Sequence, residues 1–311
     1  VRQDDYFGGV WETNRFEGSL YGVPWYVDTR LLFYRRDLLA SAGFDEPPRT
    51  WAQWLEMLGA IQERAAADQA ALFLPLNEPE PLVAFALQEA DPLLRDGNRY
   101  GNFRSPGFRR ALSFYVELFA RGLAPKQGSG QIANLWDEFA RGSFVFYVSG
   151  PWQIGELKRR LPPELDGSWM TAGLPGRTGP GTSLAGGSSL VVFAESKRKA
   201  LAWKLIEYLS EPAVQQRFYE LTGDLPPRRE SWAAPALTDD VRVRAFREQL
   251  ERVEPTPKVP EWERIAGQLA RVSERAARSL TSVEAAATEL DERTDRILEK
   301  RRWVLEHRQA P

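Results

Sequence analysis

The chain has 311 residues, no cysteine and a single histidine, His307, four positions from its end. Disulfide scaffolds, thiol nucleophiles, cysteine-ligated zinc and His-rich metal sites are thereby excluded, and a Ser-His-Asp triad would have to recruit that terminal histidine. Forty-one basic against 43 acidic residues give a net charge of −2, so no overall basic field draws the chain to nucleic acid.

Leu31-Leu32-Phe33-Tyr34 reads as a buried strand. Thr50 is placed to cap a helix whose apolar stripe is Trp51, Trp54, Leu55, Leu58 and Ile61. Leu72-Phe73-Leu74 predicts the next strand, and Asp96-Gly97 a hairpin turn. Ser105-Pro106 opens a helix with Phe108, Leu112, Tyr115 and Phe119 on one face, and Gly122 sits where a terminating glycine belongs. Phe144 to Val148 is the strongest strand, β-branched and aromatic throughout, stopped by Ser149-Gly150-Pro151.

Pro175 to Gly187 holds five glycines and two prolines and predicts a connection. Ser188 to Phe193 then reads as a strand, Leu201 to Leu209 as a helix, and Pro212 as the start of another helix running towards Gly223. Residues 224–235 are a second, proline-rich connection. The last third is helical: Ile265, Leu269, Val272, Ala276 and Leu280 form one stripe, and Thr281 with Glu284 predicts a capping box for the final helix. Short apolar runs alternating with amphipathic ones indicate an α/β fold.

No phosphate loop, dinucleotide fingerprint or GxSxG elbow is present. A pair of carboxylates acting across a sugar ring stays open as a hydrolase reading, because 43 acids allow many pairs. The informative aromatics lie outside the helical stripes. Trp25 and Tyr26 lead into Asp28, and Trp152 follows the carboxyl end of the strongest strand, where open α/β sheets bind ligands. An indole there suits the CH-rich face of a pyranose, with nearby carboxylates and arginines for the hydroxyls.

These residues carry a resemblance. Tyr21-Gly22-Val23-Pro24-Trp25-Tyr26-Val27-Asp28-Thr29-Arg30-Leu31-Leu32-Phe33-Tyr34-Arg35-Arg36-Asp37-Leu38, with Ala42-Gly43 and Pro48-Arg49-Thr50-Trp51 after it, resembles extracellular solute-binding protein family 1 of ABC transporters. The nearest type is the maltose, trehalose and multiple-sugar binders. Further matches follow in order: Phe139 to Pro151-Trp152, Leu174-Pro175-Gly176 with Gly186-Gly187, Ser196-Lys197 to Ser210, and Thr222-Gly223-Asp224-Leu225-Pro226.

The resemblance implies a periplasmic-binding-protein-like (type II) two-lobe α/β fold with a sugar, a mono- or oligosaccharide, held in the interlobe cleft. It implies delivery to membrane permease subunits and no catalysis, cofactor, metal or nucleic acid. A monomer is expected, periplasmic or extracellular, with a lipid anchor left open. Carried over by position, the ligand-binding residues are Trp152 as stacking aromatic, Tyr26 and Asp28 at the first crossing, Gly186 and Gly187 by the second, and Arg228 after the Leu225-Pro226 turn. Ser188-Ser189 stands where several members carry an aromatic. Because the crossing motif comes at residue 21, the N-terminal lobe is expected to be largely missing. The expected division is 25–185 plus 226–311 as the C-terminal lobe and 1–24 plus 187–225 as a remnant of the other. Weak or absent sugar binding and an exposed apolar face over 188–209 are expected with it.

Overall fold

The computed structural model describes residues 1–66 and 68–307. The chain opens with α1 (Gly8–Glu12) and a small hairpin of β1 (Arg15–Phe16) and β2 (Ser19–Leu20). It continues through β3 (Val23–Asp28), β4 (Leu31–Arg35), α2 (Arg36–Ser41) and α3 (Trp51–Gln62). Thr50 caps α3 as its spacing predicts, and Gln53 completes a capping box by accepting from the Thr50 N–H at 3.2 Å. Next come β5 (Ala70–Phe73), α4 (Glu80–Leu87) and a hairpin of β6 (Leu94–Arg95) and β7 (Tyr100–Gly101). The hairpin turns on Asp96 and Gly97, both at positive φ. α5 (Pro106–Ala120) starts on the Ser105 cap, and α6 (Leu135–Arg141) leads into β8 (Phe144–Ser149).

After β8 come α7 (Trp152–Arg160), β9 (Trp169–Ala172), β10 (Ser183–Leu184), β11 (Gly186–Leu190), α8 (Lys199–Leu209) and α9 (Pro212–Thr222). The remainder is α10 (Pro235–Thr238), α11 (Val241–Gln249), β12 (Val253–Glu254), α12 (Trp262–Ala277), α13 (Val283–Ile297) and α14 (Glu299–His307).

Four strands form the central sheet in the order β5-β8-β4-β9, with β5 parallel to β8 and the other pairs antiparallel. β4 and β8 are buried along their whole length, because helices cover both sheet faces. Leu32, Tyr34, Phe146 and Val148 point into one core with α3, α4, α5 and α12, where Trp51 stacks on Phe114 at 4.3 Å. Leu31, Phe33, Phe144 and Trp169 point into the other, which also takes Phe7, Val10 and Phe246. A third, small cluster joins Tyr6, Trp11, Val23 and Ile206 beside the antiparallel pair of β3 and β11.

Three expectations are corrected in detail. The strand expected over 188–193 runs instead from Gly186 to Leu190, because Gly186 to Ser188 pair with β3 before a register shift at Ser188/Ser189. Val191 and Phe193 lie beyond it, and with Leu201, Leu205 and Tyr208 they are exposed. The α12 stripe stops before Leu280: Ser279 adopts φ 60 and turns the chain outward, leaving Leu280 exposed. Ser282, not Thr281, then caps α13 by accepting from the Ala285 N–H at 3.1 Å, and α14 follows as the final helix. Among the described residues, no helix is long and apolar enough to cross a membrane.

Candidate functional site

Antiparallel pairing sets Leu31 opposite Ser149, so the chain entering β4 and the chain leaving β8 meet at one end of the sheet. Arg30 and Trp152 are the side chains brought together there. The Arg30 guanidinium lies over the Trp152 ring, 4.7 Å from its centroid, and its Nη1 is 3.4 Å from Asp28 Oδ1. The base of this arrangement is fixed by backbone bonds. Ser183 Oγ accepts from the Arg30 N–H at 3.2 Å and donates to the Arg30 carbonyl at 2.8 Å, while the fully buried Thr29 hydroxyl donates to Leu184 O at 2.7 Å. The root of the Arg30 side chain is thus held in place, whatever freedom its far end keeps. Trp152 stays 41% exposed, so its indole remains available to a ligand.

Burial raises the Asp28 carboxyl above its ordinary range; Arg30 pulls it back, and Glu80 and Asp224 push it further up. Glu78, from the loop before α4, is also raised, first by burial, with Arg30 lowering it and Glu80 raising it. On the α7 side, Gln153 takes a hydrogen bond from Trp136 Nε1 at 3.0 Å and gives one to the Tyr147 hydroxyl at 3.3 Å. Burial pushes that phenol up, with bonds to Ser149 and Gln153 opposing the shift. The result is an indole, a guanidinium, two carboxyls and a phenol around one strand end. Such a set can stack on an apolar ring face and exchange hydrogen bonds with hydroxyls on its rim. Among the described residues, no group of three or more His, Cys, Asp or Glu is placed to hold a metal ion.

The pairing of β11 with β3 brings Gly186 opposite Asp28 and Ser188 opposite Tyr26, so four of the site residues expected from sequence adjoin one another. Gly186 is packed on Asp28: a Cβ there would fall 2.2 Å from Oδ1. Tyr26 accepts a hydrogen bond from Ser188 Oγ at 3.0 Å, and its ring adjoins Phe218 of α9, 6.2 Å between centroids. Trp152 joins the group through Arg30. Arg228 does not: its guanidinium is spent on Ser210 O at 2.8 Å and Asp5 Oδ2 at 3.2 Å, tying the N-terminal segment to the chain after α9. Arg30, Glu78, Tyr147, Gln153 and Trp136 escape a reading of the sequence alone. Arg30 carries a usable signal, since it lies two residues past Asp28, in the same stretch as the informative aromatics. The others are assembled from separate elements, and no local spacing announces them.

A family model for bacterial extracellular solute-binding proteins matches residues 3–245. The diacetylchitobiose binding protein DasA of Streptomyces coelicolor is 26% identical over 254 residues, covering 79% of this chain and 58% of that protein. The galactooligosaccharide-binding protein of Bacillus subtilis is 26% identical over 272 residues, covering 82% of this chain and 60% of that protein. The chain therefore spans about three-fifths of the length of these curated relatives. Among solved structures, the sugar-binding protein MalE from the phytopathogen Xanthomonas citri superposes with a TM-score of 0.96 at 54% identity, over 98% of this chain and 78% of that one. The α/β architecture is that of the MalE-like periplasmic binding proteins.

Proposed function

For this chain, which belongs to the bacterial extracellular solute-binding proteins, we propose that the cluster around Arg30 and Trp152 holds a sugar for delivery to an ABC-transporter permease. The observation that carries this reading is the indole of Trp152 standing 41% exposed beside the Arg30 guanidinium and the Asp28 carboxyl. A pyranose has two apolar CH faces and an equatorial rim of hydroxyls. The indole covers a face, and the carboxylates accept from rim hydroxyls while Arg30 donates to them. The relatives support the ligand class, since their names specify diacetylchitobiose, a galactooligosaccharide and, for the structural match, a sugar.

Tyr26, Asp28, Gly186 and Gly187 form the strand crossing at which the two lobes would hinge, and ligand contact on both sides would favour the closed arrangement. Within this reading the protein acts outside the cytoplasmic membrane, as a monomer and without catalysis. Residues 25–185 with 226–311 form the lobe that carries Trp152. Arg228 braces the N-terminal segment and does not touch the sugar.

Isothermal titration of the chain against maltose, a galactooligosaccharide and diacetylchitobiose is the direct test. An open site predicts weak but saturable binding, with a dissociation constant of about 0.1–1 mM for at least one of them. No saturable response to any sugar up to about 10 mM overturns the reading. Release of nitrophenol from a panel of nitrophenyl glycosides would replace it with hydrolysis by a carboxylate pair.

A further inference from the structure

At the other end of β4 a second feature stands apart from the sugar site. Arg30 precedes this strand and Arg36 follows it, so six residues at about 3.3 Å each put roughly 20 Å between the two places. There, beside the outer edge of β9, lies a groove of about 550 Å³. Four arginines line it from four separate places: Arg36 at the start of α2, Arg49 before the Thr50 cap, Arg244 on α11, and Arg252 in the turn after that helix. The acids in its lining are Glu46 and Glu248.

These arginines differ from their neighbours in having no partners. Arg242 is paired with Asp166 at 2.9 Å, and Arg247 with Glu251 at 2.6 Å one turn along the same helix. By contrast, Arg36, Arg49, Arg244 and Arg252 make no ion pair and no side-chain hydrogen bond among the described residues. Glu248 is one helical turn from Arg244 and four positions before Arg252 in the turn that follows, yet it pairs with neither. Arg252 is also packed down: its Nε is buried without a partner, and its Nη2 would lie 3.7 Å from a Cβ placed on Gly173. A buried donor left unmade costs free energy, and like charges converging on one groove repel. Both penalties are relieved by an anion.

We propose that this groove binds a small polyanion carrying two or more phosphate or carboxylate groups. Arg36 and Arg49 come from the segments around α2 and before α3, Arg244 and Arg252 from α11 and the turn after it, and the guanidinium groups take the oxyanions through paired N–H donors. The volume suits a small molecule, and a singly charged ion would leave most of the four guanidinium groups unpaired.

Calorimetric titration of the whole chain with sodium tripolyphosphate and, separately, with citrate tests this at about 50 mM salt, where screening is modest. The expected result is one-to-one binding of at least one probe with a dissociation constant below about 1 mM. Whichever probe binds more tightly identifies phosphate or carboxylate as the preferred group. R244Q/R252Q and R36Q/R49Q should each weaken binding about tenfold or more, whereas R109Q/R264Q, which removes unpaired arginines elsewhere, should change it less than about twofold. R49Q alone, on an exposed loop position, serves if either groove pair fails to fold. No binding of either probe, binding retained in the groove variants, or an equal loss in the control pair overturns the proposal.

Discussion

The guanidinium of Arg30 sits 4.7 Å from the centroid of the Trp152 ring, stacked on the surface where a sugar would lie. On the proposed reading the indole is a shared platform: Arg30 either occupies one face while the sugar takes the rest, or it moves aside and bonds the sugar from the edge. In both cases the two side chains act together. Trp152→Ala should weaken sugar binding by about 2 kcal/mol, some thirtyfold, as for an aromatic anchor in an interface. Arg30→Ala should weaken it by a smaller factor. The double variant should lose less than the sum, because each single change already disrupts the same contact. Titration of the three variants checks this, and additive losses would separate the two residues. The thermal midpoint of Trp152→Ala should hardly move, since the indole is 41% exposed.

Asp28 links the site to pH. Burial raises its carboxyl, Arg30 opposes that, and Glu80 and Asp224 add to it, so the folded-state pKa is above the ordinary value of about 3.9. The sign follows from linkage. Protonated Asp28 favours the fold below the ordinary pKa, and that contribution is lost as pH rises through the raised value. Asp28→Asn should therefore be the more stable protein at pH about 7, with the difference from wild type shrinking as pH falls towards about 4. Urea midpoints of the two proteins across that range measure it. A deficit in Asp28→Asn that is largest near pH about 7 and shrinks as pH falls would show that Arg30 outweighs burial. Sugar affinity should fall in the same variant, since an amide accepts from hydroxyls less strongly than a carboxylate.

The legible parts of this fold are those written in local patterns. Thr50 with its tryptophan stripe, Ser105-Pro106 and the run Phe144–Val148 each specify an element from within a few residues, and each forms where expected. Local patterns fail where tertiary pairing decides. Ser188 to Phe193 has strand composition, but only the part that finds β3 becomes a strand. Arg228 sits in a recognisable motif, yet its guanidinium is claimed by Asp5, 223 positions earlier in the chain. Gln153 reaches Tyr147 and Trp136 from a separate element, and Glu78 is linked to Arg30 through the field of its charge, neither of which a spacing rule detects.

Arg35 is the structural counterpart of Arg30 at the far end of β4. Its Nη1 donates to Phe139 O at 3.0 Å and Ala140 O at 2.8 Å, satisfying carbonyls in the last turn of α6. Its Nε and Nη2 donate to the two Asp37 oxygens at 2.8 and 2.7 Å. Burial alone would raise the Asp37 carboxyl, but the Arg35 bonds and charge bring it below its ordinary range. This pair therefore stabilises the fold above the ordinary carboxylate pKa and is lost as pH falls through the lowered value. Arg35→Ala should cost about 3 kcal/mol, the low end for breaking a buried pair, because Asp37 is 40% exposed. Arg35→Ala/Asp37→Ala should recover part of that loss in urea unfolding, since no half-buried carboxylate is left without its partner. A double variant no more stable than the single would place the energy in the carbonyl bonds instead.

Gly187 carries the strictest backbone demand at the strand crossing. It holds φ +109, a conformation L side chains rarely adopt, and a Cβ there would fall 2.2 Å from Tyr26 O and 2.7 Å from Val27 Cα. Both obstacles are main-chain atoms of β3, so no rotamer change relieves them; only separation of β3 from β11 does. Gly187→Ala should cost about 2 kcal/mol from strain and should also loosen the crossing that positions Asp28. Gly155 offers the control, lying inside α7 with nothing within 4 Å of the place a Cβ would take, so Gly155→Ala should gain about 0.5–1 kcal/mol from helix propensity. Amide hydrogen exchange should then separate the two effects. Protection should fall in β3 and β11 for Gly187→Ala, while Gly155→Ala should raise it in α7 alone. Undiminished protection across β3 in Gly187→Ala would mean that the crossing tolerates a side chain and that its geometry does not depend on glycine.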